Sequence, residues 1–234
     1  MPLALDISNW GGELGANTVF QWKAYCVKRV VVGVSHHVAL ARQQLAVINK
    51  GGLEIEAYIY MYWGQDPAVQ VEYAREACDG LPVRRLWVDF EDDNAPKDDP
   101  EKVKAWIYRC LDAAAVLGLP IGIYSAWWWW GVWTDNTSDF ADYPLWVAAY
   151  DGAANTIFPH FGGWQTCALK QYAGTSDFCG YSADLDFYEE NTMTPEEKLR
   201  LACLELAQRW ACMIRLGLAQ QVVNEAKALG VVAQ

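Results

Sequence analysis

"RLWVDFEDDN", Arg85 to Asn94, sets an apolar run directly against a block of carboxylates. Leu86, Trp87 and Val88 read as a strand buried on both faces, since a half-solvated strand would alternate with polar residues. The chain then reaches Asp89, Glu91, Asp92 and Asp93. Side chains alternate along a strand, so Trp87, Asp89 and Glu91 share one face and Val88 and Phe90 the other. Unpaired charge at a core boundary is costly and usually belongs to a site, which singles out Asp89 and Glu91. Asp92 and Asp93, farther along, read as a solvated loop.

Working outward, "LALDIS" (Leu3 to Ser8), "VVVGVS" (Val30 to Ser35), "EAYIYMYW" (Glu56 to Trp63) and "PIGIYS" (Pro120 to Ser125) have the same strand character. Helix-period segments lie between them: "ALARQQLAVINKGG", Pro67 to Cys78, and about Pro100 to Leu117. That rhythm predicts parallel strands joined by helical crossovers. After Ser125 come "PLWVAAY", "WQTCALKQYAG" and "ADLDFY", strand-like pieces without room for full helices between them. The fold class expected is α/β, a flattened TIM-like (β/α) barrel over residues 1–192 whose closing strands are joined by loops. From residue 193, "TPEEKLRLACLELAQRW" opens with Thr194 as N-cap, Pro195 at the first helical position and Glu197 closing a capping box. Residues 193–234 therefore predict a helical appendage, which packs on the barrel or serves as a docking or oligomer surface.

In a parallel barrel the strand C-termini and the loops after them form the active-site face. Asp6 ends the first strand and Asp184 begins the last. A closed barrel places those two side by side, so Asp6, Asp89, Glu91 and Asp184 can converge. Thirteen Trp and twelve Tyr are present, many at strand ends: Tyr60, Tyr62 and Trp63, then Tyr124 and Trp127, then Trp146 and Tyr150. Such rings stack on the apolar faces of sugars while hydroxyl and indole N–H groups bond sugar hydroxyls. Trp127 to Trp130 cannot all face one pocket, so one or two belong to a ligand. His36 and His37 follow the second strand at the same end and read as substrate-facing or solvated, since no matching ligand cluster accompanies them.

The formal charge of −11 argues against nucleic acid as partner. No window reaches the ~18 apolar residues of a membrane span, and "MPLALDISNW" meets Asp6 before a signal-peptide apolar region forms. Cytosolic synthesis is expected, with release by lysis, virion association or non-classical export. Seven cysteines with no C-x-x-C pair read as buried reduced thiols. No phosphate loop, dinucleotide fingerprint or nucleophile elbow occurs, so neither a cofactor nor a metal is expected.

Together "LALDISNWGG", "LWVDFED", "IGIYSAWWW", "PLWVAAYDG" and "KQYAG...DLDFY" resemble glycoside hydrolase family 25, the lysozyme-like muramidases of phages, bacteria and fungi. The resemblance runs from Leu3 to about Tyr188, and its most specific element is Asp89-Phe90-Glu91. It implies cleavage of the β-1,4 bond between N-acetylmuramic acid and N-acetylglucosamine in peptidoglycan. Glu91 would be the general acid, Asp89 would stabilise the reacting sugar, and Asp6 and Asp184 would complete an acidic floor. Retention is implied, with the substrate's N-acetyl oxygen as nucleophile. "HHVALARQQ" departs from the acidic or Gly-rich segment usual in the family at that place, and wall-binding repeats do not follow the barrel. The appendage in their stead suggests attachment to a larger assembly. An inactive carbohydrate-binding barrel, or a hydrolase of another N-acetylated glycan, is the alternative.

Overall fold

Eight strands close a barrel in chain order: β1 (Leu3–Ile7), β2 (Val27–Gly33), β3 (Glu54–Tyr60), β4 (Leu86–Asp89), β5 (Ile121–Ala126), β6 (Leu145–Ala148), β7 (Leu169–Asp177) and β8 (Ser182–Phe187). They belong to a computed structural model that describes residues 3–189. The appendage expected over 193–234 lies outside the described residues. Neighbours from β1 to β7 are parallel, whereas β8 is antiparallel to both β7 and β1. A tight turn reverses the chain there: Phe178 N–H donates to the Tyr181 carbonyl at 2.8 Å, and Gly180 takes φ +76°. This reversal sends the start of β8, not its end, to the active-site face. Asp184 consequently pairs with Asp6 across β1 and β8.

The crossovers are α1 (Ala16–Ala24), α2 (Val38–Lys50), α3 (Pro67–Cys78) and α4 (Pro100–Ala115), with α5 (Trp127–Trp133) after β5. α3 and α4 start as their sequences dictate. Asp66 accepts from Ala68 N–H at 2.9 Å and Asp99 from Lys102 N–H at 3.1 Å, each followed by a proline at the first helical position. α5 corrects the expectation of closing strands joined by loops alone. It is too short to show a period, and it forms because Trp129, Trp130 and Trp133 bury one face of it.

Strand alternation sorts the core into two layers. Leu5, Val30, Val32, Ile55, Ile59, Val88, Phe90 and Ile123 face the helices, while Ala4, Val31, Trp87, Tyr124, Trp146 and Leu169 fill the barrel. A Cβ at Gly122 would stand 2.3 Å from the Trp87 ring, so only glycine leaves room for that indole. Arg29 plugs the barrel floor, paired with Glu54 at 3.1 Å and Glu56 at 3.3 Å and lying over Tyr188. Trp87 Nε1–H donates to Glu56 at 2.6 Å. Apolar packing and closed ion pairs thus seal one end and leave the other for a pocket.

Two further expectations change. Asp92 is buried, not solvated: it accepts from Trp63 N–H at 2.7 Å and from the Asn94 side chain at 2.7 Å. Among the described cysteines, Cys78, Cys110 and Cys167 are buried and free, as expected, but Cys26 is exposed. Burial pushes the Cys78 thiol up to about 12.

Candidate active site

The open end of the barrel holds a cavity of about 360 Å³. Its acidic wall is made by Asp6 at the end of β1, Asp89 ending β4, Glu91 two residues on, and Asp184 on β8. The four carboxylates singled out from sequence are therefore brought together. Among the described residues, His36 is the only cationisable one lining the cavity, with no Lys or Arg.

One residue not singled out organises this cluster. Gln171 on β7 donates through Nε2 to Asp6 at 2.9 Å and to Asp184 at 2.8 Å. Its Oε1 accepts from Tyr124 at 2.7 Å and Tyr150 at 2.9 Å. One amide side chain thus joins two acids to two phenols. Asp184 also accepts from the Thr175 backbone N–H. Asp186, two residues along β8 on the same face, is fully buried and accepts from Trp146 Nε1–H at 2.8 Å. Asp89 is also buried, and its Oδ1 has no hydrogen-bond partner among the described residues.

Burial without compensating cations raises every one of these carboxyls. Asp6 is pushed up to about 7, by burial first and Asp184 next, against the hydrogen bonds of Asp186 and Gln171. Glu91 is also pushed up to about 7, by burial, Asp93 and Asp184. Asp89 is raised well above the ordinary carboxylate range by burial, Glu91 and Asp6, and Asp186 likewise by burial and Asp6. Asp184 is raised more mildly, by burial. Asp89 lies deeper than Glu91. The acids share protons as a group.

Aromatic residues make the remaining walls. Tyr58, Tyr60 and Tyr62 project at two-residue intervals from β3 and the loop after it. Tyr60 and Tyr62 rings lie 4.6 Å apart and His36 lies 4.9 Å from Tyr62. Ser35 Oγ accepts from Tyr60 N–H at 2.8 Å, fixing where β3 gives way to its loop. Tyr124, Trp146 and Tyr150 line the opposite side, and Trp10, 88% exposed, stands at the rim. Two aromatic residues expected here are elsewhere. Trp63 is turned toward α4, 5.3 Å from Trp106, because Asp92 holds its backbone. Trp127 lies on exposed α5, outside the pocket wall. Tyr58 and Gln171 were legible only as strand residues in step with Tyr60 and Trp146, and nothing local distinguished them.

The barrel of seven parallel strands and one reversed strand thus carries a carboxyl-rich pocket walled by tyrosines at its open end. The family model described as lysozyme-like protein 1 matches residues 32–172, more than half of the chain. The chain belongs to the lysozyme-like proteins of glycoside hydrolase family 25. It is 35% identical over 124 residues to counting factor 50 of Dictyostelium discoideum, covering 52% of this chain but 41% of that protein. It is 28% identical over 198 residues to probable GH family 25 lysozyme 5 of the same organism, covering 80% and 90%. The chain thus spans less than half of counting factor 50. The muramidase from Acremonium alcalophilum superposes with TM-score 0.66 at 20% identity, covering 86% of this chain and 99% of that one. The family GH25 lysozyme from Aspergillus fumigatus superposes with TM-score 0.64 at 19% identity, covering 85% and 96%, and these likenesses establish the shared fold.

Proposed function

We propose that this chain hydrolyses the β-1,4 bond between N-acetylmuramic acid and N-acetylglucosamine in peptidoglycan. The observation that carries this is the convergence of Asp89, Glu91, Asp6 and Asp184 in one cavity whose lining, among the described residues, holds no Lys or Arg. Such a site gives a proton to a leaving oxygen and accommodates a sugar ring that becomes cationic. Glu91 is the general acid: it reaches water at the pocket mouth and holds its proton up to about pH 7. As the glycosidic C–O bond breaks, the Glu91 proton goes to the departing oxygen and the substrate's N-acetyl oxygen closes on the anomeric carbon. Water then opens that ring and returns a proton to Glu91, which gives retention. Asp89, Asp6 and Asp184 share protons as a group, and the carboxylate that stays ionised within it stabilises positive charge on the sugar and its N-acetyl group.

Glu91→Gln keeps shape and removes the transferable proton. Hydrolysis of peptidoglycan, followed by mass spectrometry of the released fragments, falls ~10²–10⁴-fold in this variant while glycan binding persists. Unchanged turnover would remove Glu91 from the mechanism. The same assay separates a second reading, a barrel that binds glycan without cleaving it. No fragments from any N-acetylated glycan, together with measurable binding, would establish it.

A further inference from the structure

α5 carries two kinds of tryptophan. Trp129, Trp130 and Trp133 are buried, and each indole N–H donates to a backbone carbonyl: to Asp92 at 3.4 Å, Thr137 at 3.0 Å and Ala95 at 2.9 Å. Trp127 and Trp128 are 49% and 42% exposed, and their indoles make no hydrogen bond with any described residue. The buried three fully account for how α5 docks, so packing does not require large rings at the two exposed positions.

Those two rings continue the pocket wall. Tyr150 lines the cavity, is 54% exposed, and is pinned at its hydroxyl by Gln171. Its ring lies 6.0 Å from Trp128 with 37° between the planes. Trp127 follows 5.9 Å from Trp128, turned by 86°. Tyr150 and Trp128 therefore offer tilted neighbouring faces leading out of the pocket, and Trp127 stands across their end. The spacing resembles that of successive sugar rings along a strand, and the unbonded indole N–H groups are available to sugar hydroxyls.

We infer that Trp128 is the platform, and Trp127 the end wall, of an additional subsite for a pyranose ring of a glycan strand running out of the pocket past Tyr150. The inference rests on the peptidoglycan reading above and adds to it a preference for long strands over short ones.

The full chain carrying Glu91→Gln holds ligand without turnover, so affinity is measured apart from catalysis. Calorimetry compares its binding of the N-acetylglucosaminyl-N-acetylmuramic acid disaccharide with that of longer peptide-free strands from peptidoglycan. Adding Trp128→Ala weakens long-strand binding about five- to tenfold, the weight of one stacked ring, and leaves the disaccharide unaffected. Trp128→Phe restores part of the loss, and Trp127→Ala gives a smaller length-dependent loss. Equal effects on both lengths, or none on either, would overturn the subsite while leaving the peptidoglycan reading standing. Failure of the Glu91→Gln protein to bind any strand would overturn both.

Discussion

Glu91 stands where water and protein meet: its side chain is exposed at the pocket mouth, yet protein surrounds enough of it to push its carboxyl up to about 7. A general acid works only while protonated, so activity is present below that value and lost as pH rises through it. We expect kcat/KM to decline along an alkaline limb near pH 7. His36 also lines the pocket, and His36→Asn should leave the position of this limb unchanged. Asp93 is the first charge raising Glu91 and is exposed, so Asp93→Asn should move the limb to lower pH without harming the fold. A limb that follows His36 and ignores Asp93 would show that the acid has been misassigned. Asp89→Asn should reduce kcat strongly with little change in KM, because the acidic group it belongs to acts most strongly when the sugar becomes cationic.

At the scale of elements, the connection from β6 to β7 is held by a buried lysine. Lys170 on β7 is completely buried and donates to Asp151 at 2.8 Å and Asn155 at 3.1 Å. Its neighbours in sequence are Gln171 and, across the pair, Tyr150, so this ion pair anchors the segment that carries two pocket residues. Asp151→Ala leaves the buried Lys170 ammonium with Asn155 alone and should lower stability by roughly 1–3 kcal/mol in urea unfolding, whereas Lys170→Met should be closer to neutral. Equal losses would mean that the lysine stem, not its charge, matters. Sequence pattern revealed the strands here because "LWVD" and "LWVA" are buried on both faces and have no competing helical reading. It missed α5, whose stability comes from tertiary burial of three indoles, not from any period in "WWWWGVW". It misread Asp92 because the backbone N–H it accepts from belongs to Trp63, in the loop after β3. Gln171 was invisible for the same reason, since one partner, Asp6, is 165 residues away. The carboxylates were legible because a charge ending an apolar strand is conspicuous without knowing any partner.

For the molecule as a whole, concentrating acids in a cavity lined, among the described residues, by no Lys or Arg makes the fold sensitive to pH. Asp6 has a reference value of 3.8 and is pushed up to about 7 in the folded chain. Between those values the folded state binds more protons than the unfolded state, so stability falls as pH rises across that window. The favourable contribution is fully present below about pH 4 and is lost once pH passes about 7, as Asp6 ionises beside Asp184 and Glu91. This opposes the commoner behaviour of salt-bridged carboxylates, which protect the fold at neutral pH. Asp6→Asn keeps the Gln171 contact available and removes the ionisation. The variant should therefore gain stability relative to the parent at pH 8, on the order of a few kcal/mol, and lose that advantage toward pH 4. Thermal unfolding of the two proteins across pH 4 to 8 checks this. A difference independent of pH would show that Asp6 is held by packing alone and that the acidic wall is not under electrostatic strain.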